Sequence, residues 1–140
     1  MIDLDILYLK KGNRSTTIKL KNNQEILINN TLKEVLNNYC LKDLTTIEGR
    51  MKATSQVFNI RKHIPIYLSE NIVLIPTKNK KEIDNIYINC YSVIDMIKDE
   101  EKTKVIFSDF SELIVNQPIR LLTKYYDNGL KIKKSNEMIF

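Results

Sequence analysis

Tryptophan is absent from this 140-residue chain, glycine and proline occur three times each, cysteine twice and histidine once. Each shortage excludes something. So little Gly and Pro rules out collagen-like and low-complexity chains and predicts regular elements joined by short turns. Gly12, Gly49 and Gly129 stand far apart, so no glycine-rich phosphate loop exists. Cys40 and Cys90 have neither metal-site spacing nor a disulfide framework. With His63 as the lone histidine, metal ligation would have to recruit distant Cys or carboxylates. A Cys–His nucleophile pair exists only on paper, because both cysteines fall among apolar residues, where a thiol is inert. Asp99-Glu100-Glu101 reads as a solvated turn, and Asp95 with Lys98 makes no convincing nuclease set. No apolar run reaches the 18 residues of a membrane helix. The opening MIDLDILYLKKG mixes acids with apolar residues and lacks the basic start of a signal peptide. These exclusions describe a cytoplasmic, non-enzymatic protein with reduced thiols, no cofactor and no metal.

What is present is a folding composition: 43% hydrophobic and 28% charged residues. The length suits one domain over 1–140, with a tail at 130–140 that frays or adds a short strand. The net charge of +5 favours a polyanionic partner.

Periodicity supplies the elements. Residues 2–9 alternate as a half-buried strand, Thr16 to Leu20 is a second strand and Glu25 to Ile28 a third, giving an antiparallel meander. Asn30 or Thr31 caps a helix whose apolar face is Leu32, Val35, Leu36, Tyr39 and Cys40. Thr45 with Glu48 forms a capping box for a second helix carrying Met51, Ala53, Thr54, Val57 and Phe58. Ile64 to Leu68 and Ile72 to Ile75 form a hairpin round Ser69-Glu70-Asn71. After the polar loop Lys78 to Asp84, Asn85 to Ile97 reads as one long strand, bulged near Ser92. Lys98 to Lys102 is a charged turn; Thr103 to Phe107 and Glu112 to Val115 form a further hairpin. A last helix starts at Asn116-Gln117-Pro118, buries Leu121, Leu122 and Tyr125, and stops at Asn128-Gly129. The expected fold class is α+β: a mostly antiparallel β-sheet with two central helices and one C-terminal helix.

Positive charge gathers round the middle of the chain. Arg50 and Lys52 lie on the second helix, Arg61, Lys62 and His63 follow it, and Lys78, Lys80 and Lys81 lie in the loop after the hairpin. If the hairpin folds back on the helix, all eight line one surface, where they would contact phosphates and release counterions. An arginine entering a narrow A-tract minor groove reads groove width and potential rather than a base code. Arg50 has a competing reading as a structural ion-pair partner.

The same stretch resembles the ComK family of competence transcription factors. In that family a Cys precedes by ten residues the Arg of a Ser-Ser-x-x-Gly-Arg signature; here Cys40 and Arg50 keep the spacing and Thr45-Thr46 replace the serines. The family's basic Pro-Ile step, its apolar strand ending in Phe-Pro-Thr and its later Trp-Ile correspond to Lys62, His63, Pro65-Ile66, then Ile75-Pro76-Thr77, then Tyr87-Ile88. The departures are Ile75 for the aromatic, Tyr87 for Trp, Asn85 for a Cys, a lysine-rich loop after Thr77 and no long C-terminal extension. The resemblance covers roughly residues 30–115. It implies a DNA-binding activator of DNA-uptake genes that binds A/T-rich duplexes through the minor groove as a homo-oligomer, with a proteolytic adaptor as a further partner. The alternative is a protein-interaction module, a paralogue that modulates another regulator without binding DNA.

Overall fold

The computed structural model describes residues 5–78, 82 and 84–138, with side chains up to residue 135. Ile2 and Leu4 of the first alternation therefore lie outside the described residues, as do Lys80 and Lys81.

The meander forms as expected: β1 (Ile6–Lys11), β2 (Thr16–Leu20) and β3 (Gln24–Ile28). It joins three later strands, β4 (Ile66–Ser69), β5 (Ile72–Pro76) and β6 (Ile86–Asn89), in a six-stranded antiparallel sheet of order β3-β2-β1-β6-β5-β4. A register shift between Ile6 and Tyr8 changes which face β1 presents. Ile6 and Leu9 face one core, while Leu7 and Tyr8 face the other.

The first core lies under two helices, α1 (Leu32–Leu41) and α2 (Ile47–Phe58). Thr31 caps α1 in a full capping box, its hydroxyl accepting from the Glu34 N–H and the Glu34 carboxylate accepting from the Thr31 N–H. The cap of α2 differs from expectation by one residue. Thr46, not Thr45, is the N-cap, its hydroxyl accepting from the Gly49 N–H at 3.0 Å. Thr45 is already committed: its Oγ1 donates to the Cys40 carbonyl and accepts from Arg50 Nε. Helix α2 starts over the first face, with Ile47 and Met51, and ends against the second core with Phe58, so it crosses the sheet at edge strand β4.

The expected long strand from Asn85 to Ile97 is broken. β6 ends at Asn89, Cys90–Ser92 make a 3₁₀ turn, and β7 (Val93–Asp99) begins a separate three-stranded sheet with β8 (Lys102–Phe107) and β9 (Glu112–Val115). Side-chain hydrogen bonds fix the break. The Asn89 amide oxygen accepts from the N–H groups of Val73 and Tyr91, and its Nδ2 donates to the Ile6 carbonyl; Ser92 Oγ donates to the same carbonyl at 2.6 Å. All four groups are buried or nearly so, where an unpaired polar atom costs about 1–3 kcal/mol.

The last helix, α3 (Ile119–Met138), is longer than expected. It runs straight through Gly129, which is a packing residue and not a stop. A Cβ there would lie 2.8 Å from Ile75 Cγ2 and closer still to Cys90 Sγ. The bare backbone lets α3 approach β5, and Ile132, 4% exposed, continues the contact beyond the glycine. α3 and the three-stranded sheet together enclose the second core: Val73, Ile75, Ile88, Val105, Phe107, Val115, Leu122 and Tyr125. The fold class is α+β, with antiparallel sheets, two helices over one face and a C-terminal helix over the other.

Candidate nucleic-acid interface

Antiparallel pairing brings certain strand ends together. The end of β1, the start of β6, the end of β5 and the start of β4 share one rim of the large sheet. That rim carries Lys10 and Lys11 at the end of β1, Arg14 in the β1–β2 turn, Arg61, Lys62 and His63 before β4, and Lys78 after β5. Lys33, in the first turn of α1, lines the same cavity as Lys11. The opposite rim carries Asp5, Glu25 and Glu70, with Asp109 bonded to the Asn22 N–H, against Lys19 and Lys21, while the basic rim also includes Glu82 and Asp84. The net charge is thus unevenly distributed along the strand direction.

The segment Arg61 to His63 leaves α2 through Asn59, which takes the left-handed conformation at the C-cap. His63 also has φ 50, which costs a residue with a Cβ about 1–2 kcal/mol. Its ring holds that conformation by stacking on Tyr125 of α3, centroids 4.3 Å apart and planes at 27°, and by a hydrogen bond to the backbone of Lys78. Burial, then the positive charge of Lys62, pushes the His63 pKa down; Lys124 acts in the same sense, while the Lys78 backbone and Glu82 oppose it. Lys62, His63, Lys78 and Lys124 therefore belong to one electrostatic neighbourhood. Arg120, one turn before Lys124, shares its helix face.

Lys78 is held from beneath. Asn85, fully buried, accepts from the Lys78 N–H at 3.0 Å and donates to the Lys78 carbonyl at 3.1 Å. Thr77 completes the base: its carbonyl accepts from Gln117 Nε2 at 2.8 Å, and its hydroxyl accepts from the Ile86 N–H. A basic loop thus leaves the sheet over a satisfied polar network.

Arg50 stands apart. Instead of projecting from α2, its side chain is 11% exposed and wraps edge strand β4. Nη1 donates to the carbonyls of Tyr67 and Leu68, both at 2.9 Å; Nε donates to Thr45 Oγ1 at 2.7 Å; Nη2 pairs with Asp43 at 2.9 Å; and the guanidinium lies 5.6 Å from the Tyr67 ring centroid. The irregularity between Tyr67 and Ser69 brings two successive carbonyls to one nitrogen. The arginine caps acceptors that an edge strand would otherwise leave open. The expected grouping of Arg50 with the basic loops is thus replaced by a clamp, because its donors are engaged by the fold. Lys52, on the same helix, is exposed.

Sequence reasoning missed Lys10, Lys11, Arg14 and Lys124, which are remote in the chain and joined only by the strand order β1-β6-β5-β4. It also missed Asn85 and Gln117, whose positioning contacts reach across the fold. Neither thiol is poised for chemistry. Burial drives the Cys90 pKa up to about 12 and raises that of Cys40.

No curated protein and no solved structure matches the chain. A family model, described as ComK protein, matches residues 5–137. That match spans nearly the whole chain, from β1 through the basic rim to the end of α3, and the chain belongs to the ComK family of competence transcription factors.

Proposed function

We propose that this chain is a transcription activator that binds A/T-rich double-stranded DNA through the minor groove, as a homo-oligomer in the cytoplasm, and that the basic rim is its DNA-facing surface. The observation that carries the reading is the convergence of Arg14, Arg61, Lys62, His63, Lys78 and Lys124 on one end of the molecule, where they outnumber Glu82 and Asp84. Lys80 and Lys81 extend the same loop in sequence. Strand ends and turns project side chains singly, which suits phosphate contacts along a backbone better than a helix laid in a major groove. Arg14 and Arg61, the exposed arginines of the rim, are the groove-entering candidates, because an A-tract's narrow minor groove concentrates negative potential. Arg50 serves the interface indirectly, by fixing α2 on the sheet.

The test is fluorescence anisotropy on A/T-rich and G/C-rich duplexes across a salt series. Lys62→Ala with Lys78→Ala is expected to lower the slope of log K against log salt by about 2, on both duplexes alike. Arg61→Ala is expected to narrow the gap between the duplexes. Lys102→Ala, on the separate three-stranded sheet, leaves binding unchanged. A salt-independent affinity, or an equal loss in the Lys102 variant, overturns the reading.

A further inference from the structure

A β-sheet leaves unpaired N–H and C=O groups along each free edge, and folded proteins cover or blunt such edges. Among the described residues the two sheets end in four edge strands, β3, β4, β7 and β9. Three of them are closed. Arg50 caps the carbonyls of β4. β7 shifts register between Val93 and Asp95 and carries Asp95, Lys98 and Asp99. β9 has only four residues and turns away at once, the Gln117 N–H donating to the Val115 carbonyl just before Pro118.

β3 has none of these devices. Its sequence QEILI holds no proline and no lysine, and its pairing with β2 runs from Gln24 to Ile28 without a register shift. It pairs with β2 alone, so alternate residues direct their backbone groups away from the sheet. Its one charge, Glu25, is balanced by Lys19 of β2 at 3.5 Å. Ile26 and Ile28 lie on the face of the first core and are only partly covered. Leu27, on the opposite face, is 67% exposed. A straight, neutral, apolar edge is suited to receive another strand.

The strand is complementary to itself in one register. A two-fold axis perpendicular to the sheet sets two copies of β3 antiparallel, each contributing the same surface. With the axis at Leu27, that residue meets its own copy, Ile26 meets the partner's Ile28, and Glu25 meets the partner's Asn29. Moving the axis to Ile26 sets Glu25 against the partner's Leu27. Moving it to Glu25 sets two carboxylates opposite each other, which is destabilising. The axis at Leu27 alone matches apolar with apolar and opposes no like charges.

We propose that β3 pairs antiparallel with β3 of a second copy about an axis at Leu27, joining the two six-stranded sheets across a dimer interface. This rests on the homo-oligomer part of the proposed function and names its surface. It does not depend on contact with DNA, and its test uses none.

Sedimentation equilibrium of the full chain, from micromolar to submillimolar concentration, measures the association. The parent is expected to dimerise. Leu27→Lys and Leu27→Glu each place like charges at the axis, and each alone should raise the dissociation constant more than about ten-fold. Mixing the two variants should restore a dimer, which also shows that both are folded. Leu44→Lys, at a leucine 94% exposed on the α1–α2 loop, should leave the dimer unchanged. Under mild oxidation Leu27→Cys should cross-link to its own copy and Gln24→Cys should not; Cys40 and Cys90 are buried and stay out of the reaction. The proposal falls if either charged variant alone dimerises like the parent, if their mixture stays monomeric, or if Gln24→Cys cross-links as readily as Leu27→Cys. A dimer that ignores every change at Leu27 overturns this interface only, whereas a parent that stays monomeric overturns the homo-oligomer reading with it.

Discussion

Replacing Arg50 with alanine separates a clamp from a DNA contact, and its cost follows from the geometry. The two bonds from Nη1 to the carbonyls of Tyr67 and Leu68 are charge-assisted and shielded by a side chain that is 11% exposed. Such bonds are worth about 1.5–3 kcal/mol each. Without the arginine, carbonyls on an edge strand regain some water, so the lower end applies. The pair with Asp43 adds little, because Asp43 is 66% exposed and an exposed pair gives about 0–1 kcal/mol. A loss of about 2–4 kcal/mol is expected, or a fall in Tm of about 6–12 °C for a chain of this size. Arg50→Lys should lose more than half of that, since one ammonium cannot span two carbonyls, Thr45 and Asp43 together. Asp43→Ala should lose less than about 1 kcal/mol. Urea denaturation measures all three, and DNA titration well below the melting point should give each variant the parent's salt slope. If Arg50→Ala melts like the parent yet loses affinity with a reduced slope, the clamp assignment is wrong and the arginine contacts DNA.

Gly129→Ala should gain about 1 kcal/mol of helix propensity but lose about 1–3 kcal/mol to overpacking against Cys90 Sγ and Ile75, for a net loss that Cys90→Ala in the double variant largely restores. Asn85→Ala should cost about 2–4 kcal/mol by chemical denaturation, because it unpairs both the N–H and the carbonyl of Lys78 over a buried site. The folded-state pKa of His63 is depressed below 6.5, so the unfolded chain binds the proton more readily. Its contribution is therefore complete above pH 6.5 and lost as the pH falls below it, and His63→Gln should flatten that part of a stability–pH profile.

The sequence carried most of the regular elements because their signals are local. Alternation marks β2 and β3, and a 3.6-residue period marks α1 and α2. The failures occur where one residue answers to a distant partner. Asn89 and Ser92 break the expected strand by bonding Ile6, more than eighty positions away. Gly129 follows Asn128 in what locally reads as a helix stop, but its lack of a side chain serves Cys90 and Ile75. Thr45 and Thr46 are equivalent as capping residues until Arg50 takes the first of them. The rim was half legible for the same reason. The run from Arg61 to His63 is visible as a triplet, whereas Lys11 and Lys124 join it only through strand order and helix docking.

The Gly49-Arg50 pair shows how one motif can set the position of the basic rim without being part of it. The Gly49 N–H completes the Thr46 cap, which starts α2, and Arg50 then ties the helix to the irregular strand β4. Through that tie α2 crosses the sheet edge and delivers Asn59, whose left-handed turn leads to Arg61, Lys62 and His63. Tyr125 and the Lys78 backbone receive the histidine ring, and Asn85 fixes Lys78 in turn. Each step sets the next by a named contact, so loosening Arg50 would displace the rim as well as lower stability. The two effects differ in temperature dependence. A positional defect weakens DNA binding well below the melting transition while leaving the number of phosphate contacts, and hence the salt slope, close to that of the parent. A lost phosphate contact lowers the slope at every temperature.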